Sequence, residues 1–425
     1  MNMKLRLIIM NFLEFAAWGS YLTSMGAYLS QAGLGRDIGN YYAMQGVVSI
    51  FMPAIMGIIA DRWVQAQRLL SFCHFMSAVF MGLSAWIGLS AVDGGAINGT
   101  ALFWAYTGSV TFYMPTLALS NSVAYSSLDH AGLDTVKAFP PIRVFGTIGF
   151  LCAMWFTNFW CQNTAYQFVE SAAFSVLLAI YALTLPSCPV GRESSKQSVL
   201  EAMGLKAFTL FRERKMAFFF IFSFMLGVSL QITNGYANPF IQSFGGYEGY
   251  KGLYFVENAN LLVSLSQISE TLCILLIPFF LKRFGIKIVM LIAMLAWVGR
   301  FGFFGIGDPG AGVWLFILSC LVYGVAFDFF NISGSLFVDK ETDLSIRSSA
   351  QGLFMMMTNG LGATLGSLGA KEVINHFVYT NPADPTFMSL DGWRISWYIF
   401  AGYALVVAIA FAILFEYKHV REEND

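Results

Sequence analysis

"VSLSQISETLCILLIPFF", residues 263–280, is apolar enough to cross a bilayer, yet it carries Gln267 and Glu270 near its middle. On a helix in water an amide and a carboxylate need no explanation. In hydrocarbon an ionisable side chain costs about 2.5–3.5 kcal/mol or more at the helix centre, so it has to face a partner or a cavity. The solvent around this stretch decides the fold.

The rest of the chain says that the solvent is lipid. Of its 425 residues 57% are hydrophobic and only 12% charged, with mean hydropathy +0.64. A soluble domain carries about 25% charged residues. The 42 Phe and 20 Met suit helices that face lipid and pack on one another, and a net charge of −1 with no basic tail points away from nucleic acid. Six scattered cysteines (Cys73, Cys152, Cys161, Cys188, Cys273, Cys320) have no metal-ligand spacing and read as small core residues. The start, "MNMKLRLIIMNFLEF", runs into a long apolar segment without a small-x-small cleavage site, so it reads as a retained first span.

A helical span needs roughly 20 predominantly apolar residues. Runs of that kind lie near 7–29, 41–60, 68–90, 101–126, 138–161, 166–186, 216–243, 253–281, 286–306, 312–337, 347–370 and 393–416. With an interior N-terminus, only Arg36, Lys251, Lys371 and Arg394 fall in exterior loops. Every other Lys and Arg is interior, except Arg143 and Arg300 in or near spans. Both termini are therefore expected in the cytoplasm. The expected fold class is an all-α integral membrane protein with 12 transmembrane helices in two six-helix bundles, 1–186 and 216–425. The central cytoplasmic loop, 187–215, is polar ("VGRESSKQS") and then amphipathic ("VLEAMGLKAFTLF"). It is either a disordered linker or carries a short helix on the inner membrane surface.

The two halves echo each other. "MGIIADRW" (56–63) and "PFFLKRFGIK" (278–287) close the second span of each half. Both resemble the loop signature of the major facilitator superfamily at Gly57, Asp61 and Arg62, although the trailing Gly and basic pair of the full motif are absent. The 6+6 arrangement about a central loop is the stronger sign. In that fold the halves rock around a solute site near mid-membrane, which is where a substrate is expected.

Ionisable residues inside the spans are few: Glu14, Arg143, Glu170, Glu257, Glu270, Arg300, Asp328 and Glu372. Glu170, Glu257 and Glu372 lie near span ends and are expected to reach water. Arg300, on the usually peripheral ninth span, is expected to snorkel outward or to pair with a carboxylate. Glu270 and Asp328 lie mid-membrane, where desolvation favours the neutral acid and makes proton exchange accessible. The alternative for either is a helix-locking hydrogen bond. Glu14 lies about 12 Å along the first span and is a further candidate for a proton or a polar ligand.

Spacing sharpens the choice. Gln231 and Asn234, Gln267 and Glu270, and Asp328 and Asn331 are each three apart, so three spans of the second half present paired polar faces. Three such faces suggest a polar cavity. Amides suit a neutral hydrogen-bonding solute, and Phe327, Phe330 and Phe150 offer rings on which a sugar or a flat heterocycle could stack, unless they are core or lipid-facing. Arg143, Thr147 and Phe150 share one face of the fifth span. Hydropathy puts Arg143 near its cytoplasmic end, but a helix starting near Asp134 and kinked at Pro140–Pro141 would put it deeper.

Over nearly its whole length the chain resembles the bacterial nucleoside permeases, the nucleoside:proton symporters of the major facilitator superfamily. The resemblance is densest in "AFPPIRVFGTIGF", "LGVSLQITN", "SQISETLCILLIPFFLKRFGIK", "YGVAFDFFNISGS", "RSSAQGLFMMMTNG" and "FEYKHVR". It implies proton-coupled nucleoside uptake across the bacterial inner membrane by a functional monomer in lipid, with no cofactor, no metal and no enzymatic step. It also implies that Arg143, Thr147 and Phe150 face the solute from the first half, with Arg143 in the deeper position. From the second half Gln231, Asn234, Gln267, Glu270, Phe327 and Asp328 would do so. Glu270 and Asp328 would be candidates for the proton, with Glu14 unmatched to a family ligand. The alternatives are a sugar symporter or a drug exporter of the same fold, though the fifth span lacks the Gly/Pro-rich pattern of antiporters. An enzyme or sensor has little support. No loop much exceeds thirty residues, and His74, His130, His376 and His419 are far apart in sequence.

Overall fold

The computed structural model describes residues 2–91, 96–188, 205–343 and 346–417, and among these there is helix and no strand. The chain divides into two compact units, Met1–Ala202 and Met203–Asp425. In the first unit the helices are α1 (Met3–Gly19), α2 (Met25–Gln31), α3 (Ile38–Arg62), α4 (Ala66–Leu89), α5 (Gly99–Tyr113), α6 (Thr116–His130), α7 (Thr135–Phe156) and α8 (Tyr166–Ala182). In the second they are α9 (Arg214–Leu230), α10 (Ile232–Ser243), α11 (Ala259–Ile306), α12 (Val313–Glu341), α13 (Arg347–Met355), α14 (Ala363–Phe377) and α15 (Leu390–Leu414). Residues 199–204 of the expected amphipathic segment lie outside the described residues. Its remainder, Leu205–Arg212, is a 3₁₀ helix with Ala207 and Leu210 buried and Phe208 exposed.

Each of the expected stretches carries helix, but only seven helices among the described residues are individually long and apolar enough to cross a membrane. The shortfall comes from breaks. The first stretch turns between Gly19 and Met25, where Ser20 donates to the Ala16 carbonyl (2.9 Å) and Ser24 to Gln167 Oε1 (2.8 Å). The fourth is cut at Pro115, which has no N–H to continue the ladder. The eleventh passes through a wide turn at Met356–Gly362 between α13 and α14. The sixth is a single helix of 17 residues. Conversely, the 48 residues of α11 would extend about 72 Å, more than twice the hydrocarbon thickness. The chain reverses at Gly285, whose φ of 78° is open to glycine and strained for other residues. That reversal brings Arg300 Nη1 to 3.2 Å from Ser266 Oγ, thirty-four residues away.

Between apolar helices in lipid there is no hydrophobic driving force, and close backbone approach at small residues takes its place. In the first unit α1 and α7 meet at Gly19 against the Phe150 backbone and at Gly149 against the Phe12 backbone. In the second, Gly227 of α9 lies so close to the turn before α14 that a Cβ there would sit 2.5 Å from the Thr358 carbonyl oxygen, and Gly366 of α14 presses on the Val228 carbonyl in the same way. At the crossing of α11 and α12, a Cβ on Gly324 would fall 2.5 Å from the Ser269 carbonyl oxygen and 2.8 Å from the Glu270 nitrogen. An aromatic cluster fills one end of the second unit, with Phe240 meeting Phe244, Phe304, Phe316, Trp393 and Trp397 at centroid separations of 5.3–5.8 Å. Outward-facing positions stay apolar, as Leu275 (75% exposed) and Ile413 (70%) illustrate. In water such a surface would be a liability.

A polar knot lies inside the first unit. Glu14 of α1 is fully buried, with Oε2 2.8 Å from Nε2 of the equally buried His74 on α4. Thr116 donates to its Oε1 at 2.5 Å, and the Tyr113 hydroxyl donates to its backbone carbonyl at 2.8 Å. A second knot joins α1 to α8. Glu170 is buried, not water-facing as its position near a span end suggests, and its Oε2 lies 2.7 Å from Thr157 Oγ1, whose one hydroxyl hydrogen it shares with the Ser20 carbonyl at 2.8 Å. Glu257 and Glu372 are exposed, as expected. Of the cysteines, Cys152 is exposed on α7 and the others are buried and free.

Two outcomes test this packing. Gly366→Ala should destabilise detergent-purified protein by about 1–3 kcal/mol, the usual cost of overpacking. Gly369→Ala, where a Cβ meets nothing within 4 Å, should leave the thermal midpoint unchanged. For the knot, His74→Leu should cost about 3–5 kcal/mol, because it strands a buried carboxylate. Glu14→Leu/His74→Leu should recover much of that loss in the same melting assay. Additive single-mutant effects would mean that the two side chains do not act as a pair.

Candidate functional site

In the second unit the three expected polar faces come from α10, α11 and α12. Gln231 stands at the break between α9 and α10, closing one helix and opening the next, and its Oε1 accepts from Asn234 Nδ2 at 2.9 Å. Both side chains are half-buried, as are Gln267 and Glu270 on α11. The stripe continues along α10 into a buried amide chain, in which Gln242 Nε2 donates to Asn238 Oδ1 (2.8 Å) and Asn238 Nδ2 to Asn260 Oδ1 (2.7 Å).

The α11–α12 crossing sets the backbone beside Glu270 against α12, the helix that carries Asp328. Gly324 touches the Glu270 backbone, and Phe327 and Asp328 follow it at i+3 and i+4, on the same face of α12. Asp328 is buried. Tyr323 immediately precedes Gly324 on α12, and the Arg300 guanidinium carbon lies 4.4 Å from the centre of its ring. Its ring stacks on Phe327, with centroids 5.6 Å apart and planes 15° from parallel. Carboxylates, amides and a stacked aromatic pair are thus gathered on neighbouring helices. Such a set can hydrogen-bond the edge of a polar solute and cover its flat face.

Arg300 departs from expectation. It neither snorkels nor pairs with a carboxylate. Only 2% exposed, it is held by the hydroxyls of Thr233 and Ser266 and by the Ser319 carbonyl. The ninth span that carries it therefore packs inward at this level. Its partners could not be read from the sequence, since they lie nineteen to sixty-seven residues away, on α10, on α12 and on the other arm of α11.

In the first unit α7 begins at Thr135, before the Pro140–Pro141 pair, which favours the deeper of the two positions open to Arg143. Arg143 stands about 12 Å into the helix and is half-buried, with its guanidinium carbon 3.8 Å from the centre of the Phe15 ring. Thr147 is half-buried on the same face, and Phe150 is buried with its edge against Trp18 at 6.1 Å. Gly146 makes room for this arrangement, since a Cβ there would meet Phe15 and lie 2.8 Å from Arg143 Nη1. Glu14 points away from this face into its knot with His74. A separate concavity of about 790 Å³ is lined by Asn121, Ser122, Tyr125, Ser126, Asp129 and His130 of α6. Composition gave no notice of it, although "SNSVAYSS" is the most hydroxyl-rich run of that helix.

Comparison with known proteins identifies the family and the fold. The family model described as "Nucleoside H+ symporter" matches residues 1–420. The chain is 44% identical over 425 residues to the nucleoside permease NupG of Escherichia coli K12, covering 99% of this chain and 98% of that protein. It is 45% identical over 430 residues to the xanthosine permease of the same organism, covering 100% and 98%. A crystal structure of the nucleoside transporter NupG superposes with a TM-score of 0.88 at 44% identity, covering 98% of this chain and 100% of that one. A D-xylose–proton symporter, 15% identical with a TM-score of 0.65 over 97% of both chains, shares the fold. Matched along nearly its entire length by sequence and by structure, this multi-pass membrane protein belongs to the Nucleoside H+ symporter family.

Proposed function

We propose that the protein imports nucleosides across the bacterial inner membrane together with protons, by alternating access. Twelve spans with both termini cytoplasmic, six in each half on either side of the loop 187–215, and a functional monomer complete the proposal. The orientation rests on the bias of Lys and Arg toward one side. The observation that carries the functional proposal is the convergence of paired polar residues on α10, α11 and α12, pinned by the contact of Gly324 with Ser269 and Glu270.

In this scheme Gln231, Asn234 and Gln267 hydrogen-bond the base or ribose, Phe327 covers a flat face, and Arg143, Thr147 and Phe150 contribute from the first half. Glu270 and Asp328 are the proton carriers. A neutral carboxylic acid can donate a hydrogen bond to a solute oxygen, whereas the carboxylate can only accept. Protonation therefore favours binding of a solute that needs a donor, and proton loss to the cytoplasm favours solute release. Each proton entering adds about 2.3 kcal/mol per 100 mV of membrane potential. Glu14, enclosed by His74 and Thr116, holds α1 in place and carries no transported proton.

A sugar symporter of the same fold is the alternative, because amides beside a stacked Tyr323–Phe327 pair would also suit a hexose. Proteoliposomes with an imposed pH gradient, acidic outside, separate the two. Uptake of labelled uridine should be competed by unlabelled nucleosides and not by free bases or hexoses, and inhibition by hexoses alone would reverse the substrate assignment. Glu270→Gln and Asp328→Asn keep a hydrogen-bond donor but cannot take up or release a proton, so each should abolish uphill uptake. Full accumulation in both variants would remove these carboxyls from the coupling role.

A further inference from the structure

We infer that Arg300 is a positioning residue for solute binding, a single guanidinium that sets the three polar helices of the second unit in register. It rests on the functional proposal above for the identity of the solute-facing residues, while its own geometry is independent of which solute they hold. Nε and Nη2 of Arg300 donate to Thr233 Oγ1 at 3.3 and 3.0 Å. Nη1 donates to Ser266 Oγ at 3.2 Å and to the Ser319 carbonyl at 2.9 Å. The guanidinium carbon lies 4.4 Å from the centre of the Tyr323 ring.

Three of these partners, Thr233, Ser266 and Tyr323, adjoin residues of the candidate site. Thr233 lies between Gln231 and Asn234 on α10, and Ser266 immediately precedes Gln267 on α11. Tyr323 stacks on Phe327 of α12, one residue before Asp328. Ser319 completes the attachment by donating from its hydroxyl to the Arg300 carbonyl at 2.7 Å. One side chain therefore touches all three helices just behind the face each would present to solute, and it touches none of the solute-facing polar groups itself.

The chemistry explains why an arginine suits the position. Its planar fork holds five N–H donors in fixed directions, so it can fix several acceptors at once, whereas an ammonium acts as a point charge. An apolar side chain of similar volume could fill the space at lower electrostatic cost, but it could not set the rotation of α10 against α11 and α12. Binding constellations have to be held to within about 0.5 Å, and they are held by hydrogen bonds from residues behind them. Arg300 is buried among hydroxyls, a carbonyl and a ring, as that task requires.

The test is transport in proteoliposomes of the purified full-length protein, with labelled uridine and labelled xanthosine as the probes. Thermal midpoint and the amount of folded transporter are measured on the same preparations. Arg300→Lys keeps the charge but not the fork, and Thr233→Val removes one acceptor at nearly constant shape. Both should raise KM by roughly tenfold or more while Vmax per folded transporter stays within about twofold. The double variant should be no worse than the weaker-binding single, because the two changes remove the same link. Should Arg300→Lys fail to fold, Thr233→Val and Ser266→Ala carry the same expectation. A lower thermal midpoint and less folded transporter with KM unchanged would overturn the inference and leave Arg300 a stability residue. Wild-type uptake in the same vesicles is the check on the functional proposal, and Arg300 is judged only on the ratio of variant to wild type.

Discussion

The approach of backbone to backbone at glycine is the constraint on which the rest depends. Lipid tails are as apolar as leucine, so helices in a bilayer gain little by burying leucine against leucine. What remains is dispersion at short range and hydrogen bonds that cannot be made to solvent. Gly19 and Gly149 supply that closeness between α1 and α7, while Gly227 and Gly366 supply it between α9 and the turn that leads into α14. The first and fifth expected spans of each unit are thus joined in the same manner, which gives physical content to the echo between the halves seen in sequence.

Charge is distributed in two ways on this frame. Glu14, Glu170 and Arg300 are each buried and tied to neighbours: a histidine and a threonine, a threonine, and a set of hydroxyls with a carbonyl. Arg143, Gln231, Gln267 and Glu270 are only half-buried. The enclosed groups hold helices in place, and the half-buried ones remain partly accessible. A membrane protein that must both hold its shape and exchange solutes needs both kinds, and α11 carries both, with Arg300 enclosed and Gln267 and Glu270 half-buried.

Much of this was legible in the sequence because it follows from periodicity. The span positions are runs of apolar residues, and the polar faces are residues three apart on a helix. The break at Pro115 was not read, because the apolar run 101–126 continues across it. Partnerships between helices were not legible. Glu14 and His74 lie sixty residues apart, and nothing local marks either as the other's partner. Arg300 on a supposedly peripheral span looked like a side chain bound for the interface, because hydropathy reports how apolar a helix is and not which way one residue on it points. Glu170 misled for a related reason: nearness to a span end says nothing about the neighbour that closes over it. The break at Gln231 has no proline or glycine to signal it, and it coincides with a residue of the candidate site. The depth of Arg143 turned on where α7 starts, which two prolines in its second turn obscure.

Gly285 has a mechanical consequence. One residue with positive φ joins the two arms of α11, and it is itself buried. No loop of several residues is present there to absorb displacement, so the arms cannot slip by a helical turn, about 5.4 Å, without breaking the connection. The arm that carries Gln267 and Glu270 and the arm that carries Arg300 therefore form a stiff lever with its elbow beside Lys282 and Arg283. A tilt imposed at the charged elbow reaches the polar faces as rotation of the pair, and not as sliding of one arm past the other.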